Sequence, residues 1–422
     1  MWQDSRLCTA GCYKKIANEP DCLGQLGKDR QREQEMKKVL IITTISGFLP
    51  QFEMNDVGIL KDLGCELHYA SNFHNPVYES DQEELRKKGI KLYQIEIEKT
   101  PIHLAHNIKA FFQICDIIRT GQIELLHCHN PIGGVLGRLA AVCCRRQKVQ
   151  VIYTAHGFHF YEGAPWMNWL LFFPVEALLA RVTDCLITIN KEDYKRTSLF
   201  RLRKKKSLRV QIPGVGVRTE RFRKEPGRRK LMRDRLGIGE EVFYILSVGE
   251  LNRNKNHEVI LRAIAEIGNP QIHYGICGKG ERAEYLGRLA EELGIGSQFT
   301  LFGFRRDIPD MLQCADCFAF PSKREGLGIA AIEAMAGGIP LITSDCRGTR
   351  EYMEDGVTGY ICRSGSAEEY AGAINRMMED AEGRKRMGLA CMERARRFDL
   401  SETDKIMRRV YRKMTDEGLA TE

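Results

Sequence analysis

Two glutamates stand eight residues apart in the stretch SKREGLGIAAIEAMAGGIPLI, and their surroundings are typical of a ligand site. Glu325 lies among glycines, whereas Glu333 lies in an apolar run that predicts a helix beginning near Leu327 or Gly328. The first turn of such a helix presents free N–H groups and a partial positive charge, which suit a phosphate. Glu333, roughly 7 to 8 Å further along at ~1.5 Å per residue, can accept hydrogen bonds from sugar hydroxyls. One carboxylate for each of two sugars, with a diphosphate between them, indicates a nucleotide-sugar.

The alternative interpretation is a core helix with two incidental glutamates. Ile329, Ile332 and Met335 are apolar, so Glu333 is then a half-buried acid that needs partners. Gly337 and Gly338 end the helix, and the proline that follows prevents its continuation.

Short apolar runs alternate with helical patterns on either side of this stretch, which predicts parallel sheets covered on both faces. The first series of predicted strands covers residues 38–44, 65–71, 90–97, 124–130, 149–156, 185–190 and 208–213. A second series covers residues 242–250, 272–278, 298–303, 317–322 and 340–345. We therefore expect an α/β chain of two doubly wound, Rossmann-like domains whose ligand cleft lies between the carboxyl ends of the strands.

The domain boundaries follow from the same pattern. Residues 1–35 are polar and patternless and are expected to be a disordered or non-native tail. An N-terminal, acceptor-binding domain is predicted over 36–215, and a C-terminal, nucleotide-sugar-binding domain over 216–400. The linker is expected near 213–221. A helix over 401–414, within a last segment 401–422, is expected to pack back on the N-terminal domain.

Composition is that of a cytosolic protein. The 422 residues are 43% hydrophobic and 28% charged, with no apolar N-terminal run and no uninterrupted span of about 20 apolar residues. The fifteen cysteines are scattered, and the single C-x-x-C at Cys314 and Cys317 is interpreted as two buried thiols.

Net charge is +8, but residues 195–235 hold 17 Lys and Arg against 3 Asp and Glu, so this stretch is +14 and the remainder is −6. Such a stretch predicts an anionic membrane surface or a solvated loop. Its only aromatics, Phe200 and Phe222, are too few for base stacking and argue against nucleic acid. An aromatic, apolar stretch from Trp166 to Phe173 suits the same bilayer surface, or alternatively a core helix.

Residues of the first domain are expected to face the cleft from the ends of its strands. Gly47 follows the first strand, where a turn glycine lets the loop approach a diphosphate, and His156 follows the fifth. For His156 alone, a structural histidine is the simpler interpretation. His127 and His129 share one face of a strand and are expected to line the cleft rather than bind a metal, because no third ligand is evident.

The motif P-S-x-x-E-G-x-G-x-x-x-x-E-A-M-A-x-G-x-P resembles the retaining glycosyltransferases of family 4, which adopt the GT-B fold. The stretches TAHGFHFYEGAPWMNW and SVGELNRNKNHE are similar to bacterial capsule and exopolysaccharide transferases, which act on sugars carried by undecaprenyl diphosphate. The resemblance implies that Glu325 contacts the donor sugar, Glu333 the ribose and Lys255 the diphosphate, with His156 beside the reacting sugar.

Other residues are expected on the donor side of the cleft by the same resemblance. They are Gly278, Gly328 and Ile329. Many relatives have Gly-Arg five residues before the lysine, where this chain has Glu250, and Arg253 is the residue we expect to supply the missing cation.

The resemblance implies a retaining transferase that moves a hexose or N-acetylhexosamine from a nucleotide-sugar, expected to be a UDP-sugar, to a lipid-linked saccharide in surface glycan synthesis. No D-x-D occurs, so we expect neither a metal nor a cofactor. We expect the protein to lie on the inner face of the plasma membrane. Three alternatives remain: a GT-B nucleotide-sugar epimerase, an NAD-type oxidoreductase using the weak G-x-G-x-x-A at 278–283, and a non-catalytic lipid-surface protein.

Overall fold

A computed structural model of the chain describes residues 36–74 and 81–416. Its two sheets are parallel throughout, as the uninterrupted apolar runs predict. The predicted tail over 1–35 and the end of the chain beyond 416 lie outside the described residues.

The first sheet has seven strands in the order β3-β2-β1-β4-β5-β6-β7. The strands are β1 (Lys38–Ile42), β2 (Glu66–Ser71), β3 (Ile90–Gln94), β4 (Leu125–His129), β5 (Gln150–Ala155), β6 (Cys185–Thr188) and β7 (Leu208–Gln211). The strand order reverses between β1 and β4, which is the point where ligands bind in open α/β sheets.

The second sheet has six strands in the order β10-β9-β8-β11-β12-β13. The strands are β8 (Phe243–Val248), β9 (Ile272–Cys277), β10 (Phe299–Gly303), β11 (Cys317–Phe320), β12 (Leu341–Ser344) and β13 (Gly359–Cys362). Each of the twelve predicted strands is confirmed. β13 was not predicted, because it has only four residues and begins at a glycine.

Helices cover the faces of both sheets. Those of the first half are α1 (Phe48–Phe52), α2 (Met54–Asp62), α3 (Gln82–Lys87), α4 (Leu104–Gly121), α5 (Pro131–Cys143), α6 (Trp166–Ala180) and α7 (Lys191–Arg196). Those of the second half are α8 (Arg228–Leu236), α9 (Glu258–Ile267), α10 (Ala283–Glu292), α11 (Ile308–Gln313), α12 (Ile329–Ala336), α13 (Ala367–Glu379), α14 (Ala381–Ala395) and α15 (Leu400–Asp416).

The last helix, α15, joins the two halves. Its apolar face belongs to a buried cluster that also contains residues of β1, β5, β11 and α12. Polar contacts fix it on α2, where Arg408 pairs with Asp62 and Asn55 donates to Asp404. The carboxyl ends of both sheets are thereby held toward each other.

Candidate functional site

The loop before α12 has the conformation that its glycines allow. Gly328 has a φ of +94°, and a Cβ there would meet the Phe320 ring and the Tyr352 hydroxyl at under 3 Å. The chain therefore turns sharply after β11, and α12 begins at Ile329, close to the predicted position. The first turn of α12 directly follows the loop that contains Glu325 and Gly326.

Lys255 and Glu325 lie together at this helix start. The Lys255 Nζ atom donates to Glu325 Oε1 at 2.7 Å, although the two residues are 70 positions apart. Both side chains are largely buried, and the Lys255 ammonium lies 4.8 Å from the centre of the Phe320 ring. A cation held against an aromatic face, with one carboxylate as partner, can exchange that partner for the charge of a diphosphate.

Glu333 lies on the second turn of α12 and is partly buried. Burial raises the pKa of its carboxyl group to about 7, and the nearby Arg221 offsets only part of this effect. A carboxyl group in this state has unused acceptor capacity for ligand hydroxyls.

His156 approaches the same loop from the N-terminal domain. Its carbonyl oxygen lies against Gly326, where an added Cβ would be only 2.2 Å away, so Gly326 is the residue that permits this contact. The His156 ring packs edge-on against Phe48, with ring centres 5.0 Å apart. Gly47 lies beyond the end of β1, at the N-cap of α1 with a φ of −76°, and its contact with a diphosphate stays a prediction.

Two residues that the sequence did not single out complete the contact between the domains. Arg347, which follows β12, donates to buried Asp193 of α7 at 2.8 Å and to the Glu325 carbonyl at 3.3 Å. Asn190 also donates to the Gly326 carbonyl across the cleft. Arg347 follows a strand end at the carboxyl edge, which is the signal that could have identified it.

The remaining predicted donor residues differ in their surroundings. Gly278 follows β9, and a Cβ on it would lie 1.8 Å from the Gly249 carbonyl oxygen, so close backbone packing already requires this glycine. Arg253 and Glu250 are exposed on the loop after β8, and Arg253 stays a prediction as the substitute cation.

The histidine cluster is only partly as predicted. His127 is fully buried and hydrogen-bonds to Tyr411 and Thr154, so its predicted place in the cleft lining is wrong. Burial lowers the pKa of His127 to about 3 and that of His156 to about 4, which keeps both rings neutral at pH 7.

Glu53, which the sequence analysis did not single out, lies beside His129 and His156. The three side chains place possible metal-ligand atoms within 4.8 Å of one another.

The basic stretch is not one continuous cationic surface. Arg233 is buried and binds Asp316, which also pairs with Arg229. Arg228 pairs with Asp310, and Arg209 donates to backbone carbonyls. Within this stretch, exposed lysines lie side by side at 204–206, and others lie apart at 195, 224 and 230. Much of the sequence charge therefore has a structural role.

No helix among residues 36–74 and 81–416 is long and apolar enough to cross a membrane.

A fold of two facing Rossmann-like domains with this cleft defines the GT-B class. Solved structures of similar fold include HepE of Anabaena in complex with UDP and glucose, with a TM-score of 0.71, 20% identity and coverage of 90% of this chain and 100% of that one. Sucrose-phosphate synthase of Thermosynechococcus elongatus has a TM-score of 0.72 at 17% identity, covering 90% and 100%.

Sequence comparison identifies the family. The family described as glycosyl transferases group 1 matches residues 228–393, and the one described as glycosyl transferase 4-like matches residues 55–190. EpsD of Bacillus subtilis (strain 168), named as a glycosyltransferase, is 35% identical over 89% of this chain and 96% of its own. A UDP-Gal:α-D-GlcNAc-diphosphoundecaprenol α-1,3-galactosyltransferase of Escherichia coli is 26% identical over 66% of this chain and 72% of its own. The chain belongs to the glycosyltransferase family, in its group 1 and 4-like branch.

Proposed function

We propose that the protein transfers a hexose or N-acetylhexosamine from a UDP-sugar to a lipid-diphosphate-linked saccharide, with retention of configuration, in the synthesis of a capsule, exopolysaccharide or other surface glycan. One observation carries this proposal. Lys255 contacts Glu325 at the start of α12, and His156 of the other domain contacts the same loop across the cleft. A UDP-sugar is supported by the HepE complex, and a lipid-diphosphate acceptor by the name of the galactosyltransferase.

The donor is proposed to bind with its diphosphate at the first turn of α12. Lys255 and the N–H groups of that turn stabilise the negative charge that develops as the diphosphate leaves. Glu333 accepts hydrogen bonds from the ribose, and Glu325 and His156 contact the donor sugar. In a same-face displacement the acceptor hydroxyl attacks the anomeric carbon, the bond to the diphosphate breaks on that same face, and the departing phosphate oxygen takes the hydroxyl proton.

The acceptor is proposed to arrive from a membrane surface beside the N-terminal domain. Exposed apolar side chains project from the neighbouring helices α4, α5 and α6. Exposed helix positions are usually polar, so this apolar surface suits contact with a membrane. Those of α6 include Trp166 (72% exposed), Leu170 (62%) and Leu171 (56%), while Trp169 and Phe173 pack inward. The helix thus presents one apolar face to the core and a second one outward.

The transfer itself is tested with purified protein, a panel of UDP-sugars and a synthetic polyprenyl-diphosphate saccharide. We expect one donor to give a product heavier by one sugar residue, with the anomeric configuration of the donor by NMR. Conversion of a UDP-sugar in the absence of acceptor would instead indicate an epimerase. No product with any donor would contradict the proposal.

The membrane surface is tested by flotation with anionic phospholipid vesicles. We expect replacement of Trp166, Leu170 and Leu171 by serine to lower the bound fraction several-fold. Leu389, 64% exposed on α14 of the other domain, provides the matched control through Leu389→Ser. Equal binding of both variants, or no binding of the wild type, would contradict this part of the proposal.

A further inference from the structure

A series of buried polar groups lies behind His156, outside the part of the cleft assigned to the donor. His156 Nε2 lies 3.2 Å from His129 Nδ1, a hydrogen-bonding distance. Glu53 Oε1 lies 3.5 Å from the same His129 nitrogen and 3.9 Å from His156 Nε2. His129 and Glu53 are buried, whereas the His156 side chain is 20% exposed. The cluster therefore extends from the protein interior to the cleft.

Glu53 is linked further inward to the C-terminal helix. Its side chain is hydrogen-bonded to Asp56, which also accepts the Tyr411 hydroxyl proton at 2.7 Å. Burial and the neighbouring carboxylate raise the pKa of Glu53 well above its ordinary value. Glu53 and Asp56 can be hydrogen-bonded only through one shared proton, whichever of the two carboxyl groups holds it, so one oxygen of Glu53 is engaged there. Its other oxygen, Oε1, is then a buried acceptor that has no hydrogen-bond partner in the described structure.

The direction of the hydrogen bond between His129 and His156 follows from counting donors and acceptors. If His129 carries its hydrogen on Nδ1, that hydrogen points toward both His156 Nε2 and the unpartnered Glu53 Oε1. The buried His129 Nε2, which has no partner, is then a bare acceptor. If the hydrogen is on Nε2 instead, a buried N–H has no acceptor while Glu53 Oε1 faces a lone pair. Orphaned buried N–H groups are the rarer and more costly case, so the first arrangement is favoured.

We propose that Glu53 and His129 are positioning residues that fix His156 as the neutral tautomer with its hydrogen on Nδ1. His156 Nε2 accepts from His129, so only Nδ1 can carry the ring hydrogen. Nδ1 makes no hydrogen bond to the residues that the structure describes and is the nitrogen left for a ligand. The histidine therefore presents an N–H donor to the cleft.

The consequence for the reaction rests on the proposed function. An N–H donor is suited to a hydroxyl oxygen of the donor sugar and is poorly suited to removing a proton. His156 thus holds the sugar in place rather than acting as a general base, which agrees with a displacement in which the phosphate takes the acceptor proton.

The proposal is tested without any substrate, so that failure of the transferase assay does not affect it. Protein labelled with ¹⁵N-histidine is observed in long-range ¹⁵N–¹H correlation spectra at pH 7, and His156 is assigned by its loss in His156→Gln. The wild type is expected to show hydrogen on Nδ1 of His156. His129→Leu removes the donor, whereas His129→Asn keeps an amide N–H near the same position. Glu53→Met removes the acceptor, and Glu53→Gln keeps one.

We expect the His156 tautomer to change in His129→Leu and Glu53→Met and to persist in His129→Asn and Glu53→Gln. Circular dichroism and the melting temperature identify any variant that fails to fold, and the wild-type spectrum alone still decides the tautomer. Hydrogen on Nε2 of His156 in the wild type, or no change in either disruptive variant, would overturn the proposal. Metal analysis of the purified protein that finds one zinc ion lost in His129→Leu would also overturn it, because a metal would then explain the cluster.

Discussion

Lys255 combines a charge, a hydrogen bond and an aromatic contact at a single atom. Its ammonium group contacts Glu325 and lies over the Phe320 ring, and these two contacts hold it at the start of α12. A preorganised cation stabilises a developing negative charge without reorganising during the reaction.

Replacement of Lys255 tests this role. Lys255→Met is expected to lower kcat/KM for transfer by roughly 100- to 1,000-fold, the usual effect of losing one preorganised donor. Thermal unfolding should change little. The control is Lys230→Met, which removes an exposed lysine of α8 and should leave kcat/KM unchanged. Equal activity of the two variants would show that Lys255 does not bind the leaving group.

The pKa of Glu333 gives a prediction for stability. Burial raises this pKa from 4.5 to about 7, so the folded state favours the neutral acid. The unfolded chain releases the proton more readily, and stability therefore decreases as the pH rises from about 4.5 to 7. Glu333→Gln removes the titration. We subtract the free energy of unfolding of wild type from that of Glu333→Gln at each pH. This difference should be about 1 to 2 kcal/mol larger at pH 8 than at pH 5, allowing for partial exposure of the side chain.

Urea unfolding at the two pH values measures this difference. Glu284→Gln, at a carboxylate that is 82% exposed on α10, should show none. If Glu333→Gln has the same effect at pH 5 and pH 8, the carboxyl group is not in the environment described here.

At the scale of elements, α15 determines how the N-terminal sheet is supported. Its Tyr411 donates to Asp56 of α2 and accepts from His127 of β4, so one hydroxyl joins three elements. Both partners are buried and would lose their hydrogen bond if this hydroxyl were removed.

Tyr411→Phe is therefore expected to lower the free energy of unfolding by about 1 to 3 kcal/mol, the cost of leaving buried groups unsatisfied. Chemical denaturation with two optical probes measures the change. Arg412→Ala, at the exposed neighbouring position, should stay within about 0.5 kcal/mol of wild type. An unchanged stability of Tyr411→Phe would mean that the hydroxyl is not engaged in this way.

Elements were predictable from the sequence to the extent that local pattern determines them. The glycines around Glu325 and the apolar run after it placed the start of α12 within two residues, and continuous apolar runs identified parallel strands. Glu53 and Arg347 could not be selected in this way, because their roles depend on partners far away in sequence. Arg347 and Asp193 are 154 residues apart. Charge counting similarly overestimated the basic surface, because the carboxylates that pair with 228–233 come from another part of the chain.

At the scale of the whole molecule, a few buried polar contacts across the cleft add to the apolar cluster at α15 in holding the two domains together. Arg347 and Asp193 form an ion pair across the cleft, with side-chain exposures of 6% and 0%. Removing one member of a buried pair leaves the other uncompensated, which costs about 3 to 5 kcal/mol when no relaxation is possible. Two domains can relax by separating.

Arg347→Met is therefore expected to open the cleft. Hydrogen exchange should become at least several-fold faster at residues 157–161 and 325–328, which lie on either side of it. Arg350→Met removes a guanidinium from an exposed pair with Asp345 and is the matched control. Unchanged exchange in Arg347→Met would mean that other contacts hold the domains together.

Isothermal titration calorimetry of the intact protein with a panel of UDP-sugars determines whether the cleft binds the proposed donor. If the start of α12 binds a diphosphate between Lys255 and the two glutamates, at least one UDP-sugar will bind with one site per chain. That binding should be lost in a variant that combines Lys255→Met with Glu333→Ala. Absence of binding by every sugar nucleotide, or the same affinity in this variant, would contradict the account.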